Sequence, residues 1–188
     1  MDLPDNTRPL KPPHGLTDGI VAIRPLLAAD APAFARAFRD DPQLGVMIGA
    51  ETDPTEAEVE RQATEEPRPG GLPALAIADA RTLEFLGNIG LYRVDHHHRR
   101  GEVGFWLTPG ARGRGLGIRA VRLVTNWAFE ALGFNRVEIT TTPDNAATLA
   151  LAGRLGFTQE GVMRERNHER GKRVDVVMLA VLRRDWGG

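Results

Sequence analysis

Apolar positions recur at 118, 121, 124, 128, 129 and 132, the spacing of one helix face, and Gly133 follows as a left-handed stop. Just upstream, the apolar run at 102–107 suits a strand that Pro109 and Gly110 end. A strand, a glycine-rich loop and a long amphipathic helix therefore follow one another between Glu102 and Leu132. Before them, Ile20–Arg24 reads as a strand closed by Pro25. Asp30 caps a helix that carries Pro32 in its first turn and Phe34, Ala35 and Phe38 on one face. Asp53, Pro54, Thr55 and Glu56 form a second helix start, with a cap, a first-turn proline and a reciprocal glutamate, and the helix runs to about Thr64. Pro67–Gly71 is a loop. Leu75–Ala78 and Glu84–Val94 are strands around a turn at Asp79–Thr82, and Asp95–Arg100 is the next loop. After the long helix come a strand at Arg136–Thr141 and a helix that starts at Pro143–Asn145 and stops at Gly156. Strands at Phe157–Met163 and Val174–Leu182 flank a charged turn at 165–173. This order predicts an α/β chain with a mixed sheet and helices on both faces. Residues 1–19, with four prolines, read as an extended tail, and 20–188 as a single domain without internal repeats.

The loop carries the chemistry. The first turn of a helix presents unpartnered N–H groups and partial positive charge. Gly113, Gly115 and Gly117 let that backbone close on a phosphate, and Arg112 and Arg114 add charge. A Walker loop is excluded, because Leu116 and Gly117 stand where lysine and a hydroxyl are needed. A dinucleotide fingerprint matches Gly115–Ala120, with Glu138 as its ribose acid. Thr108–Arg114 separate it from the preceding strand, however, and Glu138 lies inside a strand-like run. The better match is Arg112, Gly113, Arg114, Gly115, Leu116, Gly117 as Arg-x-x-Gly-x-Gly.

With that loop, Asn145, Thr148, Leu155–Phe157, Glu160–Gly161, Gly171 and Asp175 follow in order, and Glu102–Trp106 precede it. In these features the chain resembles the GNAT acyltransferase superfamily, and within it the RimJ/RimL-type ribosomal-protein N-terminal acetyltransferases. The resemblance implies a GNAT fold with a central, mostly antiparallel mixed sheet. It also implies acetyl-coenzyme A as co-substrate, with its pyrophosphate on residues 112–117. Backbone of Phe105, Trp106 and Leu107 then matches the strand that holds the pantetheine arm and supplies an oxyanion N–H. Glu102 is the candidate base, acting directly or through water. The tyrosine that many members place seven residues after the asparagine is Ala152 here. Thr148 holds the position of a branch serine and is the candidate hydrogen-bond donor to the leaving sulfur. Asn145 is the candidate partner of a pantetheine amide. Tyr92, the only tyrosine, does not match the family position.

Composition bounds the rest. The 188 residues are 41% hydrophobic and 26% charged, which suits a folded domain. A net charge of -1 offers no basic field for nucleic acid. Without cysteine there is no disulfide scaffold, thiolate metal site or cysteine nucleophile, which is compatible with a cytoplasmic location. No signal-peptide pattern stands at Met1, and runs such as Val176–Leu182 are too short to span a membrane. In the row His96–His98 only the first and third side chains share a face if the chain is extended, so no metal site is expected. The basic run Arg164, Arg166, Arg170, Lys172 and Arg173 reads as a solvated turn beside the acceptor pocket that the family fold implies. The expected activity is acetylation of a primary amine, most simply a protein N-terminus. A small-molecule amine and a non-catalytic acyl-coenzyme A binding module are the alternatives, and the resemblance allows a homodimer.

Overall fold

Side chains alternate between the two sides of a strand, so each apolar strand sorts its residues onto two faces that helices must cover. The computed structural model describes residues 15–47, 52–65, 74–169 and 171–187. The loop expected at 67–71 and most of the expected tail lie outside these residues. The strands are β1 (Leu16–Thr17), β2 (Val21–Pro25), β3 (Leu75–Asp79), β4 (Phe85–Asp95), β5 (Arg100–Leu107), β6 (Arg136–Thr141), β7 (Thr158–Glu169) and β8 (Lys172–Leu182). The helices are α1 (Ala31–Asp40), α2 (Pro42–Met47), α3 (Glu56–Thr64), α4 (Leu116–Glu130) and α5 (Ala146–Arg154). The sheet order is β1-β2-β3-β4-β5-β6-β8-β7. Every neighbouring pair is antiparallel except β5 with β6.

Two cores follow from the alternation. On one face Ala120, Val121, Val124 and Ala128 of α4 meet Ile23, Ile77, Ile89, Val103 and Val137, with Ala152 and Leu155 joining from the α5 end. On the other, Phe34 and Phe38 of α1 and Val59 of α3 meet Ala76, Phe85 and Trp106. The expected mixed sheet with helices on both faces is therefore formed. Gly133 takes φ +69° just after α4, as the stop signal required.

Three local expectations differ from the structure. Asp30 does not cap α1 with its side chain. Its carboxylate instead accepts from the Leu27 N–H at 2.8 Å and from the Arg24 guanidinium at 2.7 and 2.8 Å. A guanidinium fork competes well for a carboxylate. The capping box of α3 is Thr55 with Glu58, two residues beyond the expected pair. A hydroxyl can both accept the Glu58 N–H, at 3.3 Å, and donate to the Glu58 carboxylate, at 2.8 Å. Two carboxylates in the same roles would repel. The charged segment expected as a turn at 165–173 is largely strand, since β7 runs to Glu169 and β8 begins at Lys172. This end of the hairpin is mostly exposed, so no apolar alternation marks it. A register shift between Met163 and Asn167, with Glu165 at φ +50°, kinks β7 on the way. Leu16–Thr17, within the expected tail, pairs with Ala22 and Ile23.

Candidate active site

The site starts from a strand pairing that stops early. β5 and β6 pair only through Arg100–Arg136, Gly101–Val137 and Glu102–Glu138. Beyond Glu102, β5 continues against β4 alone as far as Leu107, while β6 continues against β8. One edge of residues 103–107 is thus left without a strand partner, and alternate backbone groups there face the gap. A cavity of about 1400 Å³ occupies this opening. It is lined by Glu102–Leu107 of β5, Arg112, Gly113 and Gly115 of the loop, Leu116–Ile118 of α4, Thr140–Thr142, and Asn145 and Thr148 at the start of α5.

The loop is built for backbone exposure. After a short turn at Pro109–Ala111, Gly113 and Gly115 take φ +72° and +74°, which side chains rarely adopt. Gly115 is the N-cap of α4 and has no side chain to offer, so the first-turn N–H groups are left for a ligand. Gly117 has a different task. A Cβ there would lie 3.2 Å from Leu151 and 3.4 Å from Phe105, so glycine seats α4 closely on its neighbours. Arg112 departs from its expected role. Its Nε donates to the Leu107 carbonyl at 3.0 Å and its Nη1 lies 2.6 Å from the Asp41 carboxylate. It braces the loop against the segment after α1, and Arg114 is the exposed cation beside the glycines.

On β5, odd positions face the α4 core and even positions the α1–α3 core, as Val103 and Trp106 show. Glu102 therefore stands on the face opposite α4. Its side chain is 12% exposed, and Arg93 reaches one carboxylate oxygen at 2.5 Å. The Thr140 hydroxyl donates to the other oxygen. Tyr92 is its cross-strand neighbour on β4. Burial, and then the Glu102 charge, push the Tyr92 phenol above its ordinary pKa. Trp106 is buried and makes edge contacts with Phe34, Phe38 and Phe85, so it is core as well as wall. Phe105 and Leu107 line the α4 side of the cavity.

Asn145 caps α5, its Oδ1 accepting the Thr148 N–H at 3.1 Å. That bond turns both residues toward the gap and leaves the Thr148 hydroxyl and the Asn145 amide for a ligand. Ala152 is fully buried, so the family's tyrosine position holds only core. Glu138, the ribose acid of the dinucleotide alternative, is bound to Arg136 at 2.6 Å and lies 3.6 Å from Arg100, and Arg136 also grips Glu160 at 2.6 Å. His96 and His98 diverge: His96 packs on Phe134, and His98 pairs with Asp95 at 2.9 Å. The structure thus brings Glu102, Phe105–Leu107, the glycine loop, Asn145 and Thr148 around one cavity. Tyr92, Arg93 and Thr140 join them without having been expected, because strand register is what places them there.

A family model described as "Acetyltransferase (GNAT) domain" matches residues 21–158. A relative from Bacillus subtilis (strain 168), named "Putative ribosomal N-acetyltransferase YdaF", is 34% identical over 102 residues, 54% of this chain and 56% of its own length. The chain spans little more than half the length of the curated relatives it matches first. The solved structure of an acetyltransferase from T. thermophilus is 27% identical, with a TM-score of 0.78 over 93% of this chain and 92% of that one. Mycobacterium smegmatis RimJ in complex with CoA-disulfide shares the fold at 22% identity, with a TM-score of 0.79 over 90% and 85% of the two chains.

Proposed function

The chain belongs to the GNAT acetyltransferase family, and from that premise we propose that it transfers an acetyl group from acetyl-coenzyme A to a primary amine, a protein N-terminus before any other. The observation that carries this reading is the gap where β5 leaves β6 after Glu102, continuous with the uncapped start of α4. The residues present suit the co-substrate. Positive-φ glycines and first-turn amides fit a pyrophosphate, and the unpaired β5 edge fits an amide-bearing arm.

Each residue then has a task. The β5 edge orients the thioester, and one N–H among Phe105, Trp106 and Leu107 takes the developing oxyanion. The Asn145 amide holds the arm. Glu102, on the far face, receives the acceptor's proton through water, and Thr140 and Arg93 fix its direction. The Thr148 hydroxyl donates to the departing sulfur. A coenzyme A thiol, with a pKa near the reference of about 8.5 for cysteine, leaves without full protonation.

The charge of the rim bears on the acceptor. Glu58, Glu102 and Glu169 alternate with Arg61, Arg93 and Arg166 around the cavity. Each carboxylate already has a partner, in Thr55, in Arg93 and Thr140, and in Asn167. No cluster of unengaged carboxylates awaits a polycation among the described residues. An α-amino group, near pKa 7.7–8.0, is also partly neutral at pH 7, whereas a lysine-like amine is not. The likeness to a ribosomal N-acetyltransferase points the same way. The test compares kcat/KM for peptides with free N-termini against spermidine and an aminoglycoside. Preference for the peptides is expected; a better polyamine would move the acceptor to small molecules.

Thr148→Val should lower turnover by roughly a hundredfold, the scale for one transition-state hydrogen bond. Affinity for coenzyme A should hold, because the Thr148 backbone bond to Asn145 is untouched, and Thr148→Ser should retain most activity. Single-turnover kinetics with thiol detection give the answer; equal rates in the valine variant would remove the assignment.

A further inference from the structure

Tyr92 has no counterpart in the roles assigned above, yet its position is built. It pairs with Glu102 in register, and Gly90 pairs with Gly104 two residues along the same face. The ring leans over that glycine pair. A Cβ on Gly104 would stand 2.8 Å from ring atom Cε2, and a Cβ on Gly90 would stand 3.1 Å from Cζ and 3.2 Å from the phenol oxygen. Only two glycines leave room for the ring there, although glycine weakens a strand. The lean carries the hydroxyl from the level of residue 102, where β6 still pairs, to that of residue 104, where β5 has lost it. Tyr92 lines the cavity and is 52% exposed. Its phenol makes no hydrogen bond among the described residues, while both oxygens of the neighbouring Glu102 carboxylate are engaged.

We propose that the Tyr92 phenol oxygen holds the acceptor nitrogen, taking a hydrogen bond from the amine so that its lone pair is aimed at the thioester carbon. This deepens the acetyl-transfer reading and rests on it. The face fits, since Tyr92 lies opposite the α4 glycine loop, so the amine arrives from the side the co-substrate leaves open. The protonation state fits too: a phenol above its ordinary pKa stays neutral at working pH, and a neutral oxygen can accept an N–H bond. No proton moves to or from Tyr92. The amine nitrogen forms its bond to the carbonyl carbon, the carbon–sulfur bond breaks with its pair on sulfur, and the nitrogen's proton leaves by way of Glu102.

Because Tyr92 is the only tyrosine, ring-labelled tyrosine gives a single NMR signal. In the protein saturated with coenzyme A, that signal should move on titration with an alanine-led tripeptide amide and stay in place with the N-acetylated tripeptide. Tyr92→Phe should lower kcat/KM for the acceptor about tenfold or more through a higher acceptor KM, with coenzyme A affinity unchanged. Gly104→Ala, which pushes the ring aside without removing it, should raise acceptor KM in the same way. A signal that does not respond to the free amine, or a Tyr92→Phe enzyme with unaltered kcat/KM for every acceptor, overturns the proposal. A responsive signal in a protein that releases no thiol with any amine would instead sink the acetyl-transfer reading and leave the amine contact standing.

Discussion

Replacing Gly115 by valine will remove most of the affinity for coenzyme A while the protein stays folded. Gly115 sits at φ +74° with open space where its side chain would be, so the fold loses only the strain of a left-handed valine, about 1–2 kcal/mol. The ligand loses more. A branched side chain at the N-cap shields the first-turn amides of α4 and shifts the loop that presents them. Two lost hydrogen bonds to a charged group, at roughly 1.5 kcal/mol or more each, amount to a hundredfold or more in Kd. Calorimetric titration of coenzyme A measures the loss, and thermal unfolding monitors the fold. Gly117→Val is a poorer probe, because its side chain would press on Leu151 and Phe105 and unseat α4 itself. Unchanged affinity in a folded Gly115→Val protein would remove the pyrophosphate assignment.

Glu102→Gln carries the second large effect. Glutamine keeps the shape and can still meet Thr140, but it cannot take a proton. Losing a general base lowers turnover by about 10²–10⁴-fold. The fold should barely notice, because the Arg93 side chain that pairs with Glu102 is largely exposed and such ion pairs contribute about 1 kcal/mol or less. Coenzyme A affinity should hold, and the acidic limb of the pH–rate profile should shift or vanish. Acceptors of different pKa separate this limb from the titration of the amine itself. An identical profile with every acceptor would leave Glu102 as a structural residue.

How much of this was open to sequence reading depends on distance along the chain. The helical spacing after Ile118, the stop at Gly133 and the Arg-x-x-Gly-x-Gly loop are local, and local chemistry placed them well. The bond from Asn145 to Thr148 is equally local, and the three-residue interval suggested it. What lay hidden depends on register and on contacts between distant segments. Nothing near Arg112 indicates that Asp41 will hold it. Nothing near Tyr92 indicates that it faces Glu102, because that requires the β4–β5 hairpin to be aligned residue by residue. The shift of the α3 cap from Asp53 to Thr55 was local but subtle: both spacings fit, and the donor capacity of a hydroxyl decided between them. The long β7–β8 hairpin escaped notice because its exposed end keeps no apolar face.

The central claim is acetyl transfer in the gap between β5 and β6. Its most direct test incubates the protein with acetyl-coenzyme A and an alanine-led peptide, and follows free thiol and peptide mass together. The account predicts one acetyl group on the peptide α-amine for each thiol released, with both lost in Glu102→Gln. Tight coenzyme A binding with neither thiol nor acetylated product from peptides, polyamines or other amines would contradict it and leave an acyl-coenzyme A binding module.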